Sequence, residues 1–412
     1  MKILLKNARI LKMDDSPLLN GDILIDGNKI KKIDKNISEN GVDQVINCEG
    51  NILLPGFKNA HSHTAMTFLR GGGKDLPLQE WLFTYCFPRE DKLTPSDVYY
   101  ASKVGLIEYI QGGITACLDQ YFFPLELGRA SEEIGFRTVL QGTYNSFTSK
   151  EDLIRFYKEK NGLVTYQFGV HAEYTSDDEL LKNVGEAVKE VKAPFYTHIS
   201  ETEKEVKDCY ERHGVSPVKY FADKGLFDYG GGGYHCIYFS DEDIKIFKEK
   251  NVAIITCPGS NKYLNDGVCP VQKYFDLGFD VAIGTDGPAS NYDLNIFLEM
   301  RLIHENNPNI PCYDILKMAT RNSALAMKLN NCDILAEGKL ADIIMLDSNL
   351  ISDKIDIAQS IVENGMKTSV KMTMIDGKIL YMDGKFFLGE EISKMYENCE
   401  KVKERINGEI LC

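Results

Sequence analysis

Eight short apolar runs, separated by longer helix-like stretches, occupy the middle of the chain. They lie at residues 52–57, 114–119, 137–141, 166–171, 194–198, 234–237, 252–257 and 281–286. Patterns typical of helices lie between them, for example at 96–111, 176–191, 201–224 and 240–250. This alternation is typical of a parallel sheet with crossover helices. Eight strand–helix units therefore predict an α/β fold of the TIM-like (β/α)8 barrel type.

The sixth of these runs has the weakest strand pattern. It follows four consecutive glycines at residues 230–233. Glycine weakens a strand, because it has no side chain to pack and a large backbone entropy to lose. A flexible loop is the alternative interpretation of this segment.

Both ends of the chain are rich in strand patterns. Residues 23–30 contain the turn Asp26-Gly27 between apolar runs, and residues 374–380 repeat that pattern around Asp376-Gly377. An Asp-Gly pair between apolar runs indicates a hairpin. We therefore predict a smaller β-sandwich domain from residues 1–50 and 340–390, a catalytic barrel at 51–339 and a C-terminal helix at 391–412. The alternative is two independent β elements on different faces.

Composition excludes several classes of function. The net charge of −14 over 412 residues disfavours nucleic acid and anionic membrane surfaces, which both bind basic proteins. No apolar run approaches the roughly 20 residues that span a bilayer. The first residues turn polar too soon for a signal peptide. Eleven cysteines without a Cys-x-x-Cys motif predict reduced thiols in a cytoplasmic protein.

Histidines concentrate at the ends of the predicted strands. His61 and His63 follow the first run, while five others lie further on: His171, His198, His213, His235 and His304. Three of those five end or lie in the fourth, fifth and sixth runs, and only His213 and His304 fall in helical patterns. Barrels of this type carry their catalytic groups at the carboxyl ends of the strands. The distribution therefore predicts a functional site at that rim.

A metal site is the chemistry that these histidines favour. Residues two apart in a strand point to the same side, so His61 and His63 aim at one point. Neutral imidazole is the commonest metal ligand. Asp286, in Gly284-Thr285-Asp286-Gly287, adds a carboxylate at the end of the eighth run. Taken alone, Asp286 is more simply interpreted as a turn residue. Together with three histidines at strand ends, it completes a zinc site with a position open for water.

Glu201 lies three residues after His198. A carboxylate beside a metal, but not bound to it, is suited to moving protons. The alternative is a glutamate in the first turn of a helix, where the helix dipole favours negative charge.

Together these motifs resemble the amidohydrolase superfamily, and in particular its subgroup of 5′-methylthioadenosine/S-adenosylhomocysteine deaminases. The resemblance covers nearly the whole chain. It rests on His61-Ser62-His63, His198 with Glu201, His235-Cys236, residues 284–287, the flanking segments 55–67, 76–82 and 285–291, and residues 338–342, which resemble the return into the small β domain.

The resemblance implies roles for individual residues. The metal, one Zn²⁺ per chain with another divalent cation as the alternative, would be held by His61, His63, His198 and Asp286. Catalysis would fall to Glu201, His235 and Asp286. Substrate would be bound by Glu90 at the ribose hydroxyls and His171 at the purine, together with Glu201 and Asp286.

The activity implied is hydrolytic deamination of adenosine-type nucleosides to inosine-type products and ammonia. Expected substrates are 5′-methylthioadenosine, S-adenosylhomocysteine, adenosine and 5′-deoxyadenosine. The alternatives are a related hydrolase of guanine, cytosine or s-triazine rings and a non-catalytic scaffold stabilised by metal. The expected partner is thus a small molecule, with neither nucleic acid nor membrane, and the sequence leaves open whether copies form a homo-oligomer.

Two positions depart from the family pattern. Family members often carry an arginine just after the third strand, where this chain has Gln141-Gly142-Thr143. Many also have a second histidine where this chain has Tyr238. The first departure bears on recognition of the 5′ side of a nucleoside, and it predicts weak discrimination there. The second is expected to lie outside the chemistry.

Overall fold

Two sheets organise the computed structural model, which describes residues 1–73, 76–142, 149–159, 162–291, 293–351 and 355–411. The strands are β1 Lys2–Ile10, β2 Leu19–Asp26, β3 Lys29–Asp34, β4 Gln44–Asn47, β5 Ile52–Pro55, β6 Phe57–Ser62, β7 Ile114–Asp119, β8 Arg137–Gly142, β9 Val164–Gly169, β10 Phe195–Ile199, β11 Gly231–His235, β12 Val252–Thr256, β13 Ala282–Ile283, β14 Ile343–Leu346, β15 Val370–Ile375, β16 Lys378–Met382 and β17 Lys385–Phe386.

The helices lie mostly between the strands of the central sheet. They are α1 Leu78–Trp81, α2 Phe87–Glu90, α3 Pro95–Gln111, α4 Pro124–Ile134, α5 Lys150–Lys158, α6 Asp178–Val191, α7 Glu203–His213, α8 Pro217–Asp223, α9 Asp241–Glu249, α10 Pro258–Leu264, α11 Val271–Asp276, α12 Ile296–Asn306, α13 Cys312–Lys317, α14 Ser323–Ala326, α15 Ile357–Asn364 and α16 Ile392–Leu411. No helix in these described ranges is both long enough and apolar enough to cross a membrane.

The central sheet is the predicted barrel. Strands β6 to β13 lie side by side in sequence order, and all of their pairings are parallel. The last strand returns to the first, because the backbone N–H of Asp286 donates to the carbonyl of His61 at 3.0 Å. The α/β barrel prediction is confirmed, and the closure brings the ends of strands one and eight together.

The predicted first barrel strand is wrong. Residues 52–55 form β5, which pairs with β1 and β14 in the other sheet, and the barrel begins with β6. The chain changes sheets at Pro55-Gly56. A Cβ at Gly56 would lie 2.1 Å from the Thr115 side chain, so glycine is needed where the chain enters the barrel. The apolar run continues through both strands, because β5 and β6 are buried throughout.

The loop interpretation of the glycine run is also wrong. Gly231, Gly232 and Gly233 lie inside β11, paired with β10 on one side and β12 on the other. A Cβ at Gly231 would lie 1.8 Å from the carbonyl oxygen of Phe195, and one at Gly232 would meet the Tyr196 ring at 2.9 Å. The glycines therefore permit close approach of neighbouring strands and large aromatic side chains.

One predicted helix is two. Residues 201–224 contain α7 and α8, which are separated at Gly214. Gly214 adopts φ +73° as the α7 C-cap, and Pro217 begins α8 after the Ser216 N-cap. Glycine after the last helical turn and proline in the first turn are the usual signals of such a break.

The termini build a nine-stranded mixed sheet. Its order is β17-β16-β15-β14-β5-β1-β2-β3, with β4 paired to β1 as well. Both predicted Asp-Gly hairpins are present, as β2–β3 and β15–β16. Side chains from both ends of the sheet, such as Ile23 and Met372, share one apolar cluster, so the sheet encloses a core of its own. The exact domain boundaries remain a prediction.

An ion pair joins the two sheets. Arg137, at the start of β8, donates from Nε to Asp342 Oδ2 at 2.7 Å, and Asp342 immediately precedes β14. Both side chains are almost fully buried. Burial raises the pKa of the Asp342 carboxyl, but the charge and hydrogen bonds of Arg137 outweigh that effect and lower it. The barrel and the terminal sheet are thus held together by a desolvated pair.

Candidate functional site

The first strand of the barrel delivers two imidazoles to its carboxyl end. His61 lies in β6 and His63 directly follows it. Between them, Ser62 points the other way and hydrogen-bonds Tyr109 at 2.6 Å. His63 Nδ1 donates to the carbonyl of Gln120, which leaves Nε2 facing the centre of the rim.

His198 and Asp286 complete a cluster of four donors. The Nε2 atom of His198 lies 3.0 Å from His61 Nε2 and 3.3 Å from His63 Nε2. Asp286 Oδ1 lies 3.3 Å from Nε2 of both His61 and His63. Ligand atoms bonded to tetrahedral zinc at about 2.0–2.2 Å are about 3.3–3.6 Å from each other. Three of the four distances match this spacing and the His61–His198 distance is shorter, so the donors lie close enough together to bind one metal ion.

The charge states of these residues also suit a metal. Burial lowers the pKa of His61 to about 3 and that of His198 well below its ordinary value, so both imidazoles are neutral. Burial opposes ionisation of Asp286, but hydrogen bonds and charge from His61 and His63 hold its pKa well below the usual range. Neutral imidazole and ionised carboxylate are the forms that bind cations.

His63 differs from its neighbours. Burial lowers its pKa, but the hydrogen bond and charge of Asp286 raise it further, to about 9. A proton on His63 and a cation beside Asp286 would satisfy the same carboxylate. Metal binding is therefore expected to release this proton.

Neighbouring groups fix the orientation of the cluster. His198 Nδ1 donates to the carbonyl of His171 at 2.8 Å. Asp286 Oδ2 accepts hydrogen bonds from Ser260 at 2.6 Å and Ser290 at 2.7 Å. Its other oxygen, Oδ1, is buried and faces Nε2 of both His61 and His63 at 3.3 Å. A cation bound among these three atoms would satisfy the carboxylate directly.

His235 lies beside the four donors. It ends β11, is fully buried, and Nδ1 donates to Asn261 Oδ1 at 2.7 Å. Nε2 is also buried, without a hydrogen-bond partner among the described residues. Donor atoms of His61, His198, His235 and Asp286 all lie within 4.8 Å of one another. His235, which was predicted as a site residue, therefore lies close to the proposed metal position.

Glu201 follows β10 and is buried near His235. Its Oε1 lies 3.3 Å from His235 Nδ1. Burial, together with the charges of Asp286 and Glu205, raises the pKa of Glu201 well above its usual range. The backbone N–H of Glu201 donates to Glu205 Oε2 at 2.7 Å, which holds this turn in place. A raised pKa favours the protonated form of the carboxyl, which is the form that can donate a proton.

Sequence reasoning missed Asp266. This residue follows α10 and is 5% exposed, and its carboxyl interacts with that of Glu201. Burial and the Glu201 charge raise the pKa of Asp266 to about 9, because two adjacent carboxyls in an apolar site do not both ionise. The segment Asn265-Asp266-Gly267 reads as an ordinary turn, so the sequence contains no signal for this contact.

Backbone conformations at the rim are unusual. Ser200, His235 and Asp286 have φ values of +51°, +67° and +59°, respectively. Non-glycine residues adopt positive φ rarely, at a cost of about 1–3 kcal/mol each. These sharp turns at strand ends aim side chains at the barrel axis. Such strain concentrates at functional sites.

A cavity of about 310 Å³ opens above the cluster. Apolar and aromatic side chains, including Trp81, Leu82 and Phe87, form much of its lining. Glu90, His171 and Glu201 contribute polar groups to the same cavity. Concave apolar sites with a few convergent polar groups are typical of small-molecule binding.

Glu90 ends α2 and is 8% exposed. The Tyr121 hydroxyl donates to Glu90 Oε1 at 2.7 Å, and burial raises the pKa of the Glu90 carboxyl. His171 follows β9, and its Nδ1 lies 3.0 Å from the Thr175 hydroxyl. Burial lowers the pKa of His171 to about 3, so the ring is neutral. Both predicted substrate residues thus face the cavity.

The two departures from the family pattern have different surroundings. Gln141 lines the cavity, accepts a hydrogen bond from the Tyr234 hydroxyl at 2.5 Å and donates to the Val170 carbonyl. Thr143 lies outside the described residues. Tyr238 donates to the backbone carbonyl of Asp266 at 2.7 Å, so its hydroxyl helps to hold the turn beside Glu201.

The model of the Amidohydrolase family matches residues 52–380. The chain belongs to this family. A 5-methylthioadenosine/S-adenosylhomocysteine deaminase from Caldicellulosiruptor saccharolyticus is 37% identical over 425 residues, which cover 98% of this chain and 99% of the relative. The family prediction is therefore confirmed by full-length similarity.

Solved structures share the amidohydrolase fold of this chain. An adenosine deaminase from Xanthomonas campestris with bound zinc superposes with a TM-score of 0.90 at 24% identity, over 98% of each chain. Atrazine chlorohydrolase from Arthrobacter aurescens TC1, complexed with zinc, gives a TM-score of 0.87 at 23% identity, over 97% of this chain and all of the other. At these identities the likeness shows the fold alone.

Proposed function

We propose that this protein is a metal-dependent aminohydrolase that converts adenosine-type nucleosides to inosine-type products and ammonia. The observation that carries the proposal is the placement of the buried Glu201 carboxyl beside a cluster of imidazoles and one carboxylate. His63, His198, Glu201 and Asp286 border one cavity that is also lined by Glu90. The printed name of the 37% identical relative agrees with this activity.

His61, His63, His198 and Asp286 would hold one Zn²⁺ per chain. Their donor set is imidazole-rich with one carboxylate, which zinc accepts readily. When bound, zinc supplies a Lewis acid that lowers the pKa of a coordinated water to about 7. The position of Asp286 Oδ1, 3.3 Å from Nε2 of both His61 and His63, fits this assignment.

His235 and Asp286 would position the attacking water. Both are buried, and His235 Nε2 has no hydrogen-bond partner among the described residues. The Asn261 side chain keeps the proton of His235 on Nδ1, so that Nε2 can accept from the water. Asp286 then takes a proton from the same water as attack begins.

Glu201 would act as the general acid. Burial and neighbouring carboxylates raise its pKa, which favours the protonated acid, and its side chain lines the cavity that would hold the ring. Donation of that proton to the ring nitrogen next to the attacked carbon prevents negative charge from accumulating in the purine. Asp286 passes its proton to the amino group, and ammonia leaves. As the C–N bond breaks, the added hydroxyl gives its remaining proton back to the Glu201 carboxylate, so that a C=O group forms and one water molecule is consumed.

Glu90 and His171 would bind the nucleoside. A buried carboxylate can accept hydrogen bonds from both ribose hydroxyls, and Tyr121 already fixes the orientation of Glu90. The neutral His171 ring can hydrogen-bond a purine nitrogen. The apolar side chains of Leu82 and Phe87 leave an uncharged surface in the rest of the cavity.

Ammonia release from a panel of substrates tests the proposal. The panel contains adenosine, 5′-deoxyadenosine, 5′-methylthioadenosine, S-adenosylhomocysteine, guanine and cytosine. We expect turnover of several adenosines, with 5′-methylthioadenosine and S-adenosylhomocysteine among them, at a higher kcat/KM than either free base. Faster turnover of guanine than of any adenosine would contradict the proposed substrate class. Zinc content without turnover of any compound would favour a scaffold.

A further inference from the structure

A second group of metal-ligating side chains lies on the outside of the barrel. His304 is in the last turn of α12, Cys312 begins α13 and Glu363 is in the last turn of α15. One donor atom from each residue can be chosen so that all three lie within 4.8 Å of one another. None of the three lines the cavity above the barrel.

We propose that His304, Cys312 and Glu363 form a second metal site, which binds a borderline-soft divalent cation such as Zn²⁺. Thiolate, imidazole and carboxylate are the three side-chain ligands that zinc uses. The proposal does not depend on the reaction that the barrel catalyses.

The distances within the group are close to those between zinc ligands. Cys312 Sγ lies 3.8 Å from His304 Nδ1, and Glu363 Oε1 lies 3.4 Å from His304 Nε2. With bonds of about 2.0–2.3 Å, neighbouring ligand atoms of tetrahedral zinc are about 3.3–3.6 Å apart. These two contacts use different nitrogens of His304, and only one imidazole nitrogen binds a given ion, so the ring or the carboxylate would turn to bring the three donors, which lie within 4.8 Å of one another, onto one centre.

The local charge favours a cation. The carboxyl groups of Glu363 and Asp356 are the charged groups that interact with the Cys312 thiol. Glu363 Oε1 lies 3.4 Å from His304 Nε2 and accepts a hydrogen bond from Gln359 at 2.9 Å. A divalent ion would neutralise these carboxylates and would stabilise the thiolate directly.

The three helices are already held in place. The loop between α12 and α13 is short, and Ile310 N–H donates to the carbonyl of Asn307 within it. Arg301 of α12 donates to the backbone carbonyls of Glu363 and Gly365, which ties the end of α15 to α12. Little ordering would therefore accompany metal binding.

The group is also accessible. The side chains of His304 and Glu363 are 24% and 33% exposed. An ion can enter from solvent, and a water molecule can complete the coordination. A bound ion would link helices that follow the last barrel strand to α15, which lies between strands β14 and β15 of the terminal sheet.

Cobalt substitution separates this site from the barrel site. Thiolate bound to Co²⁺ gives an intense charge-transfer absorption, and the barrel donors are nitrogen and oxygen atoms. The full-length protein loaded with Co²⁺ should show this band, and Cys312→Ser should abolish it. Cys209→Ser, a change at a cysteine of α7 outside both sites, should leave the band intact. His63→Ala should lose the barrel metal and keep the band.

Metal counting supplies a second measurement. At saturating Zn²⁺, we expect one more equivalent per chain in the wild type than in Cys312→Ser, with deaminase activity unchanged. Glu363→Gln, which keeps the shape of the side chain, should weaken this second binding at least tenfold. The proposal is overturned if the wild type has no thiolate band, or if the band survives in Cys312→Ser. Equal zinc content in the wild type and both variants would also overturn the proposal, since the thiol, imidazole and carboxylate would then only contact one another and would not bind a metal ion.

Discussion

The Nε2 atoms of His61 and His198 lie 3.0 Å apart, although 137 positions separate the two residues in the chain. His198 donates from Nδ1 to the His171 carbonyl, so its neutral ring presents the Nε2 lone pair to His61, which can donate a hydrogen bond from its own Nε2. A cation bound by both nitrogens would replace that hydrogen bond, with the His61 proton on Nδ1. The fold of the barrel rim is thus organised for an ion.

Removal of one barrel ligand should remove the metal. We expect His63→Ala to lose one equivalent of zinc and nearly all activity, because His63 Nε2 lies 3.3 Å from two other donors. Elemental analysis and ammonia release measure both effects. His213→Ala, a change at the end of α7, is the matched control and should behave like the wild type. An active, metal-free His63→Ala protein would contradict the assignment.

Glu201→Gln should separate catalysis from metal binding. The amide preserves the size of the side chain and removes the transferable proton. We expect kcat to fall by about 10²–10⁴-fold, the usual contribution of a general acid or base, with unchanged zinc content. Glu203→Gln, two residues further on at an exposed position, is the control. A near-normal rate for Glu201→Gln would contradict the role of Glu201 as general acid and would indicate that it only stabilises the turn before α7.

Glu90→Ala should lower kcat/KM for ribonucleosides. A site built to bind a hydroxyl loses selectivity when its polar group is removed, and it rejects analogues that lack the hydroxyl. The variant should therefore lose much less activity toward 2′,3′-dideoxyadenosine than toward adenosine. Steady-state kinetics with both compounds measure the difference, and Asp91→Ala, at an exposed neighbour, is the control. Equal losses on both compounds would contradict ribose binding.

Asp342→Asn should weaken the junction between the two sheets in a pH-dependent way. Loss of one partner of a buried ion pair costs about 3–5 kcal/mol. The pKa of Asp342 is lowered in the fold, so its contribution is present above its unfolded value of about 3.9 and is lost as pH falls through the folded value. Urea unfolding at pH 7 should show the full difference from the wild type.

Urea unfolding of the wild type and Asp342→Asn at acid pH tests the direction of this pH dependence. The gap in unfolding free energy between wild type and Asp342→Asn should narrow as pH falls below about 4, because protonation removes the wild-type advantage. Asp383→Asn, at an exposed position in the terminal sheet, should have little effect at either pH. A gap that widens in acid would refute the role of the Arg137 pair.

Gly231→Ala should destabilise the barrel. A Cβ at this position would lie 1.8 Å from the Phe195 carbonyl oxygen, and the backbone adopts φ +132°. Overpacking typically costs about 1–3 kcal/mol, and a clash with backbone costs more. Thermal unfolding measures the loss. Gly389→Ala, whose added Cβ meets no atom within 4 Å, should leave Tm nearly unchanged.

The barrel could be predicted because its signal is repeated. Eight apolar runs in alternation with helices indicate the fold even when single runs are misassigned. The β5–β6 boundary could not be predicted, since both strands are fully buried and no change in hydrophobicity marks the change of sheet. Strand β11 could not be predicted for another reason. Its glycines leave room for the side chains of Tyr196 and Phe247, which come close to them only in the folded protein.

The metal cluster could likewise be predicted from the positions of a few rare residues. His61, His198 and Asp286 stand at strand ends, and parallel strands in a barrel present those ends on one rim. The supporting residues could not be predicted. Ser260 and Asp266 are common turn and helix residues, and nothing in their local sequence indicates contact with Asp286 or Glu201. Their roles depend on distances that the sequence does not encode locally.

The terminal sheet has a consequence for synthesis of the chain. Strand β5 pairs through Leu53 with Met345 of β14, so one edge of the amino-terminal strands has no partner until the barrel has almost entirely left the ribosome. An open strand edge with buried-type side chains is a site of aggregation. Nascent chains that stop before β14 should therefore be insoluble or bound by chaperones. Synthesis of β14 closes this edge, so a strand that is translated later protects strands that are translated earlier.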